Sequence, residues 1–196
     1  MSVTVRAVCI LYGWKLELKA LAIDFLNVSV LDSNLYGKFL KENKVMAEVV
    51  RGYGIASGKN FDARFPKGTI ATQSPFFEDR GLDLSSFHLG TLNIDITPSC
   101  FKFIKASFCF EKVKWSNDLP PETFSFYPCK ISLPDQDSRV SSLIYCPHPS
   151  TKPGFHQKKG VLEILAPRLK SVSYGSKIII HAESEYILFI DHAQKP

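Results

Sequence analysis

The chain has 196 residues, 45% of them hydrophobic, long enough to bury a core without a disulfide framework or a structural metal. Lys and Arg number 24 against 19 Asp and Glu, a formal +5 that is too small to argue for nucleic acid and is compatible with a small polyanion. The five cysteines form no C-x-x-C pair, which excludes a recognisable zinc or disulfide pattern and suits buried thiols in a reducing cytoplasm.

Residues 1–44 read as an N-terminal extension, separate from a main domain over 45–196. From Trp14 to Val30 the apolar residues keep neither a helical nor a strand period, while Leu35 to Lys41 has the spacing of a short helix. No apolar run approaches the roughly 20 residues a bilayer demands, and no cleavage signal follows Arg6 to Leu11, so a soluble, unprocessed, cytoplasmic protein with no membrane partner is expected.

From Val45 the texture becomes that of a β protein, with β-branched and aromatic runs punctuated by Gly, Pro, Asn and Asp. Strands are expected over Val45–Tyr53, Phe61–Phe65, Thr91–Thr97, Phe103–Lys114, Thr123–Leu133, Ser138–Tyr145, Val161–Ala166, Lys177–Ala182 and Tyr186–Ile190, with a helical turn within Phe76–Leu84. Many short strands with little helix predict a barrel or sandwich. The alternation in Phe101-Lys102-Phe103-Ile104-Lys105 suits a strand with one core face and one surface face, although it also matches a base-stacking strand.

Three segments carry chemistry. In the first, Gly52-Tyr53-Gly54 and Gly58-Lys59-Asn60-Phe61 bound a glycine loop after a strand, where backbone N–H groups can approach an anion and Lys59 adds charge. It is not a Walker loop, because only Ile55, Ala56 and Ser57 separate Gly54 from Gly58-Lys59 and Asn60 replaces the metal-binding hydroxyl. An ordinary turn between strands has the same composition. In the second, Gly90-Thr91-Leu92-Asn93-Ile94-Asp95-Ile96-Thr97, strict alternation puts Thr91, Asn93, Asp95 and Thr97 on one face and Leu92, Ile94 and Ile96 on the other. Such a row of oxygens suits Mg²⁺, and it equally suits the wet face of a half-buried strand. In the third, Val161-Leu162-Glu163-Ile164-Leu165-Ala166-Pro167, Glu163 shares a face with Val161 and Leu165, a setting that prepares a carboxylate to accept a hydroxyl proton; a solvent-facing or ion-paired Glu fits the same spacing. Between the second and third lies a long loop, Pro147 to Gly160, with Lys152, Lys158 and Lys159; long irregular connections are usually functional or mobile. His148 beside Cys146 reads as chance at a strand end rather than ligation.

Taken in order, these segments resemble the archaeal CTP-dependent riboflavin kinases: a strand running into a glycine loop that ends G-[KR]-x-F, then G-T-L-N, then a Pro- and Thr-containing loop before [IV]-x-E-[IL]-[IL]-A-P. The resemblance covers about residues 45–183. It implies a mainly β, riboflavin-kinase-like cradle-loop β-barrel that transfers the γ-phosphoryl of CTP to the 5′-hydroxyl of riboflavin, giving FMN and CDP. By that resemblance Thr91 and Asn93 would hold Mg²⁺, and Tyr53, Gly54, Gly58, Lys59, Asn60 and Phe61 would cradle the nucleotide. Arg168, Leu169, Lys170 and Ser171 would complete the nucleotide site. Thr151 and Glu163 would contact the flavin, with Glu163 as base or orienter of its hydroxyl. Against the family pattern the glycine loop is longer, Asp95 stands where a basic residue is usual, and the Pro147–Gly160 loop is expanded. The alternatives are a non-catalytic relative that binds nucleotide or flavin, and a structural or interaction module.

Overall fold

The β-branched, alternating segments do fold as strands, and the computed structural model describes them over residues 42–191. The expected helix at Leu35–Lys41, and all of the extension before Glu42, lie outside the described residues. In chain order the elements are β1 (Glu42–Val50), α1 (Thr69–Glu78), β2 (Leu92–Asp95), β3 (Cys100–Phe103), β4 (Phe108–Val113), β5 (Glu122–Ser132), β6 (Val140–Pro147), β7 (Val161–Leu165), β8 (Lys177–Glu183) and β9 (Ile187–Ile190). No helix among the described residues is long and apolar enough to cross a membrane.

Seven strands form one antiparallel sheet in the order β4-β5-β6-β7-β2-β1-β8. It partly closes on itself, because the long β5 pairs with β4 and β6 along its length and reaches β8 with its last residues, Lys130 opposite His181 and Ser132 opposite Ile179. The remaining strands, β3 and β9, pair separately as a two-stranded ribbon.

Period-two alternation gives these strands two different apolar faces. The inner face carries Val45, Ala47 and Val49 of β1, Ile94 of β2, Leu162 and Ile164 of β7, Ile144 of β6, and Ile178 and Ile180 of β8, all buried in one cluster. The β3–β9 ribbon packs against this cluster through Ile187, Phe101 and Phe103, with the Phe103 ring stacked 4.1 Å from that of Tyr127. The outer face is covered over β4, β5 and β6 by α1. Phe77 is fully buried there, its ring 5.1 Å from both Phe124 and Phe126 and 5.9 Å from Phe110, with Ile70, Tyr145 and Leu165 completing a second cluster. Where this cover stops, over β7, β2 and β1, the outer face is polar.

Three expected elements are corrected. Phe61–Phe65 is not a strand but a run of tight turns, in which Phe61 N–H donates to the Gly58 carbonyl and Phe65 N–H to that of Asp62. Phe61 has φ 57° and is 91% exposed, since the turn leaves no neighbouring strand for its ring to pack on. Phe103–Lys114 is two strands rather than one: β3 ends at Phe103, Ile104 and Lys105 bond to the Tyr186 carbonyl, and β4 begins at Phe108 on a different sheet. The helix runs over Thr69–Glu78 and stops where the expected turn was centred, Leu82 N–H donating back to the Phe77 carbonyl.

Candidate ligand-binding site

The polar part of the outer face is built by strand register. Asn93 on β2 stands opposite Val50 on β1 and opposite Glu163 on β7, and Glu163 stands opposite Tyr145 on β6. Directly opposed residues on antiparallel strands carry their Cβ atoms about 5 Å apart, so Asn93, Glu163 and Tyr145 project side by side. Three connections rise around them: the glycine loop after β1, the Pro147–Gly160 loop before β7, and residues 167–174 after it. Together they enclose a cleft of about 610 Å³, within the range of small-molecule sites.

The glycine loop forms one wall, with Gly54, Ile55, Ala56, Ser57 and Lys59 facing the cleft. Its second half is occupied with its own structure: the N–H groups of Gly58, Asn60 and Phe61 donate to Ile55, Gly54 and Gly58 carbonyls. An anion would therefore take backbone N–H groups from Gly54 to Ser57. The Ile55 and Ala56 carbonyls accept from Thr69 and Ile70 at the start of α1, which ties the loop to the helix. That close docking explains Gly58, where a Cβ would lie 2.8 Å from Gly68 N and 2.8 Å from the Pro66 carbonyl. Gly52 has a different role. A Cβ there would lie 2.5 Å from Asn93 Cγ, so the absent side chain makes room for the Asn93 amide.

The opposite wall is the loop before β7. Its Phe155 ring meets Tyr53 edge-on at 5.5 Å, and Tyr53 Oη donates to the His156 carbonyl at 3.1 Å, joining the two loops across one rim of the cleft. At the base of this loop Thr151 serves the fold: its Oγ1 accepts from Thr123 N–H at 2.9 Å and donates to the His148 carbonyl. His148 Nε2 is bonded to Ser125 Oγ at 2.8 Å rather than to the nearby thiol. Burial, and then the charge of Glu163, push the Cys146 thiol up to about 11, so it stays protonated at neutral pH.

Leu165 on the Glu163 face is fully buried as the alternation implies, yet the Glu163 carboxylate is not in apolar company. Its Oε1 accepts from Gln157 Nε2 at 2.9 Å and its Oε2 from Lys152 Nζ at 3.4 Å, both donors coming from the loop. Another carboxyl lining the cleft is Glu122, at the first position of β5. Burial pushes it above the ordinary carboxylate range, opposed by a hydrogen bond from Trp115 Nε1 at 3.1 Å and by the charge of Lys152. Tyr145, whose Oη donates to Gln73 Oε1 at 2.9 Å, is likewise held protonated by burial.

Of the residues singled out from the sequence, the cleft brings together Tyr53, Gly54, Lys59, Thr91, Asn93, Glu163, Arg168 and Leu169. Gly58, Asn60, Phe61, Thr151, Lys170 and Ser171 do not line it. Asp95 faces a separate groove, with its Oδ1 accepting from Thr97 N–H at 2.8 Å. As a cation site, Thr91 and Asn93 fit the chemistry. Asn93 Oδ1 is buried without a hydrogen-bond partner, an acceptor left wanting a donor or a metal. No group of three or more His, Cys, Asp or Glu among the described residues could hold a metal by itself. The protein would thus contribute neutral oxygens, leaving phosphates and water to complete the shell, a common arrangement for Mg²⁺.

Glu122, Trp115, Gln73 and Gln157 also line the cleft and were not singled out from the sequence, which noted Lys152 only as a charge of its loop. They come from four separate segments and share no spacing signal. Compared with known proteins, the chain matches no family model and no curated protein.

Proposed function

We propose that this protein is a nucleotide-dependent flavin kinase of the archaeal riboflavin kinase type, its partly closed sheet being a cradle-loop β-barrel. The observation that carries the proposal is the meeting of three ordered sequence segments in one cleft, where Asn93 and Glu163 are adjacent across β2 and β7 and Asn93 Oδ1 has no protein partner. Gly54 to Ser57, Lys59 and Arg168 supply N–H groups and positive charge for a triphosphate, with CTP the expected donor. Mg²⁺, when bound at Thr91 and Asn93, would neutralise charge on the phosphates. The riboflavin 5′-oxygen then attacks the γ-phosphorus, the bond to the β,γ-bridging oxygen breaks, CDP departs, and the hydroxyl proton passes to the Glu163 carboxylate. Such transfer needs positioning and charge neutralisation more than covalent chemistry.

The test is chromatographic detection of FMN from riboflavin and Mg²⁺ with CTP, ATP, GTP or UTP in parallel. FMN from one donor, lost in a Thr91→Ala, Asn93→Ala variant, supports the proposal; no FMN from any donor refutes it. Retained turnover in Glu163→Gln would remove the proton-acceptor role. A second possibility, a non-catalytic binder of the same ligands, is favoured by the engagement of both Glu163 oxygens by Lys152 and Gln157. Binding without FMN formation would identify it.

A further inference from the structure

The cleft is lined by two chemically different sets of side chains. Lys59 and Arg168, on the glycine loop and the segment after β7, offer positive charge for phosphates. Phe65, Trp115 and Leu119 offer apolar surface, together with Glu122 and Gln73. Glu122 is only 3% exposed and Gln73 2%, so neither is an incidental surface residue. Both are fixed through one atom. Glu122 Oε1 accepts from the Trp115 indole, while Gln73 Oε1 accepts from Tyr145, leaving Glu122 Oε2 and the Gln73 amide nitrogen without hydrogen bonds among the described residues.

A buried carboxylate repels phosphate, so Glu122 suits the uncharged part of a ligand. Aromatic surface favours a flat ring; Phe65 and Trp115 pack on one another, centroids 5.0 Å apart at 45°, and together offer one apolar wall. Glu122 Oε2 and the Gln73 amide nitrogen thus offer an acceptor and a donor to the same cleft. The complementary edge is a ring N–H beside a ring carbonyl, as in the imide of a fused flavin-type heterocycle.

We infer that Glu122 selects the ring, its Oε2 accepting the imide N–H of a planar heterocycle packed against the Phe65–Trp115 pair while Gln73 donates to the neighbouring carbonyl. This rests on the flavin-binding part of the function proposed above. Neither residue belongs to the segments that carry the family resemblance, so Glu122 is a specificity determinant of this chain's own.

The experiment measures riboflavin and 3-methylriboflavin binding by quenching of flavin fluorescence, in the wild-type protein and in Glu122→Gln, with FMN formation followed in parallel. Glu122→Gln keeps the size and the acceptor for Trp115, and thermal denaturation checks its fold. Wild-type protein should bind 3-methylriboflavin about ten- to a hundredfold more weakly than riboflavin, the size expected for a hydrogen bond to a buried charge. Glu122→Gln should lose a similar factor for riboflavin and no longer distinguish the two ligands. Undiminished discrimination in the variant, or equal binding of both flavins by wild-type protein, overturns the inference while FMN formation leaves the kinase standing. Discrimination that depends on Glu122 without any FMN supports the inference and overturns the kinase. If wild-type protein binds no flavin, both fall.

Discussion

Gly52→Ala tests the site at its most closely packed point. The backbone at Gly52 lies outside the left-handed region, so alanine can adopt it and the consequence is steric alone. The new methyl would sit 2.5 Å from Asn93 Cγ and 2.8 Å from Oδ1. Comfortable carbon–carbon contact begins near 3.5 Å, so the amide must retreat by about 1 Å from a position between β1 and β7. Overpacking of this kind costs about 1–3 kcal/mol. For a chain of this length that lowers Tm by about 2–4 °C per kcal/mol. Urea denaturation of the wild type, Gly52→Ala, Asn93→Ala and the double variant measures the coupling. Asn93→Ala removes the atoms the methyl would strike, so the double variant should be more stable than the sum of the single effects predicts, by about 1–3 kcal/mol. Strict additivity, or a neutral Gly52→Ala, would refute the packing of Gly52 against Asn93.

Other expectations follow from named groups. Phe77→Ala, which removes a fully buried ring from among Phe110, Phe124 and Phe126, should cost about 3–5 kcal/mol in denaturant unfolding and loosen α1 from the sheet. His181 is held below its ordinary value of 6.5 by burial first and then by Arg139, with Lys44 and Lys130 adding to the effect and Glu42 opposing it. The folded state thus favours the neutral ring, and stability, present in full above pH 6.5, should fall as pH drops through that value toward the lowered one; His181→Gln should flatten this slope in Tm measured against pH. Glu122 has the opposite sense. Its raised folded value means the native state binds the proton more tightly, so stability is lost as pH rises above the reference 4.5, and Glu122→Gln should be the more stable protein at neutral pH with the difference closing in acid.

Strand identity was legible where alternation was strict. In β2 the inward Ile94 and the outward Asn93 and Asp95 follow directly from the sequence, and in β7 so do Leu162, Ile164 and Glu163. The helix was obscured because Pro75 lies inside it, although Ile70, Gln73 and Phe77 do form its buried face. The Phe61–Phe65 run has the composition of a strand, but Gly58 and Pro66 on either side close it into turns. Gly54, Lys59, Asn93, Glu163 and Arg168, which lie in or beside the sequence motifs, all line the cleft. Glu122 was invisible, because its meaning depends on an indole seven residues away and on a helix from another part of the chain.

The two faces of β2 and β7 also determine where this protein can change length. Each strand alternates one residue of the buried interior with one residue of the cleft, so a single insertion between Leu92 and Asn93 would, with the register held at Leu92, carry Ile94 to the ligand side and Asn93 into the aliphatic interior. Folding and ligand chemistry would fail together. The loop before β7 is under no such constraint, since a side chain added at Gly154 would meet nothing within 4 Å. New ligand preferences could therefore be acquired by lengthening or shortening that loop, while the strands beneath it keep a fixed count of residues.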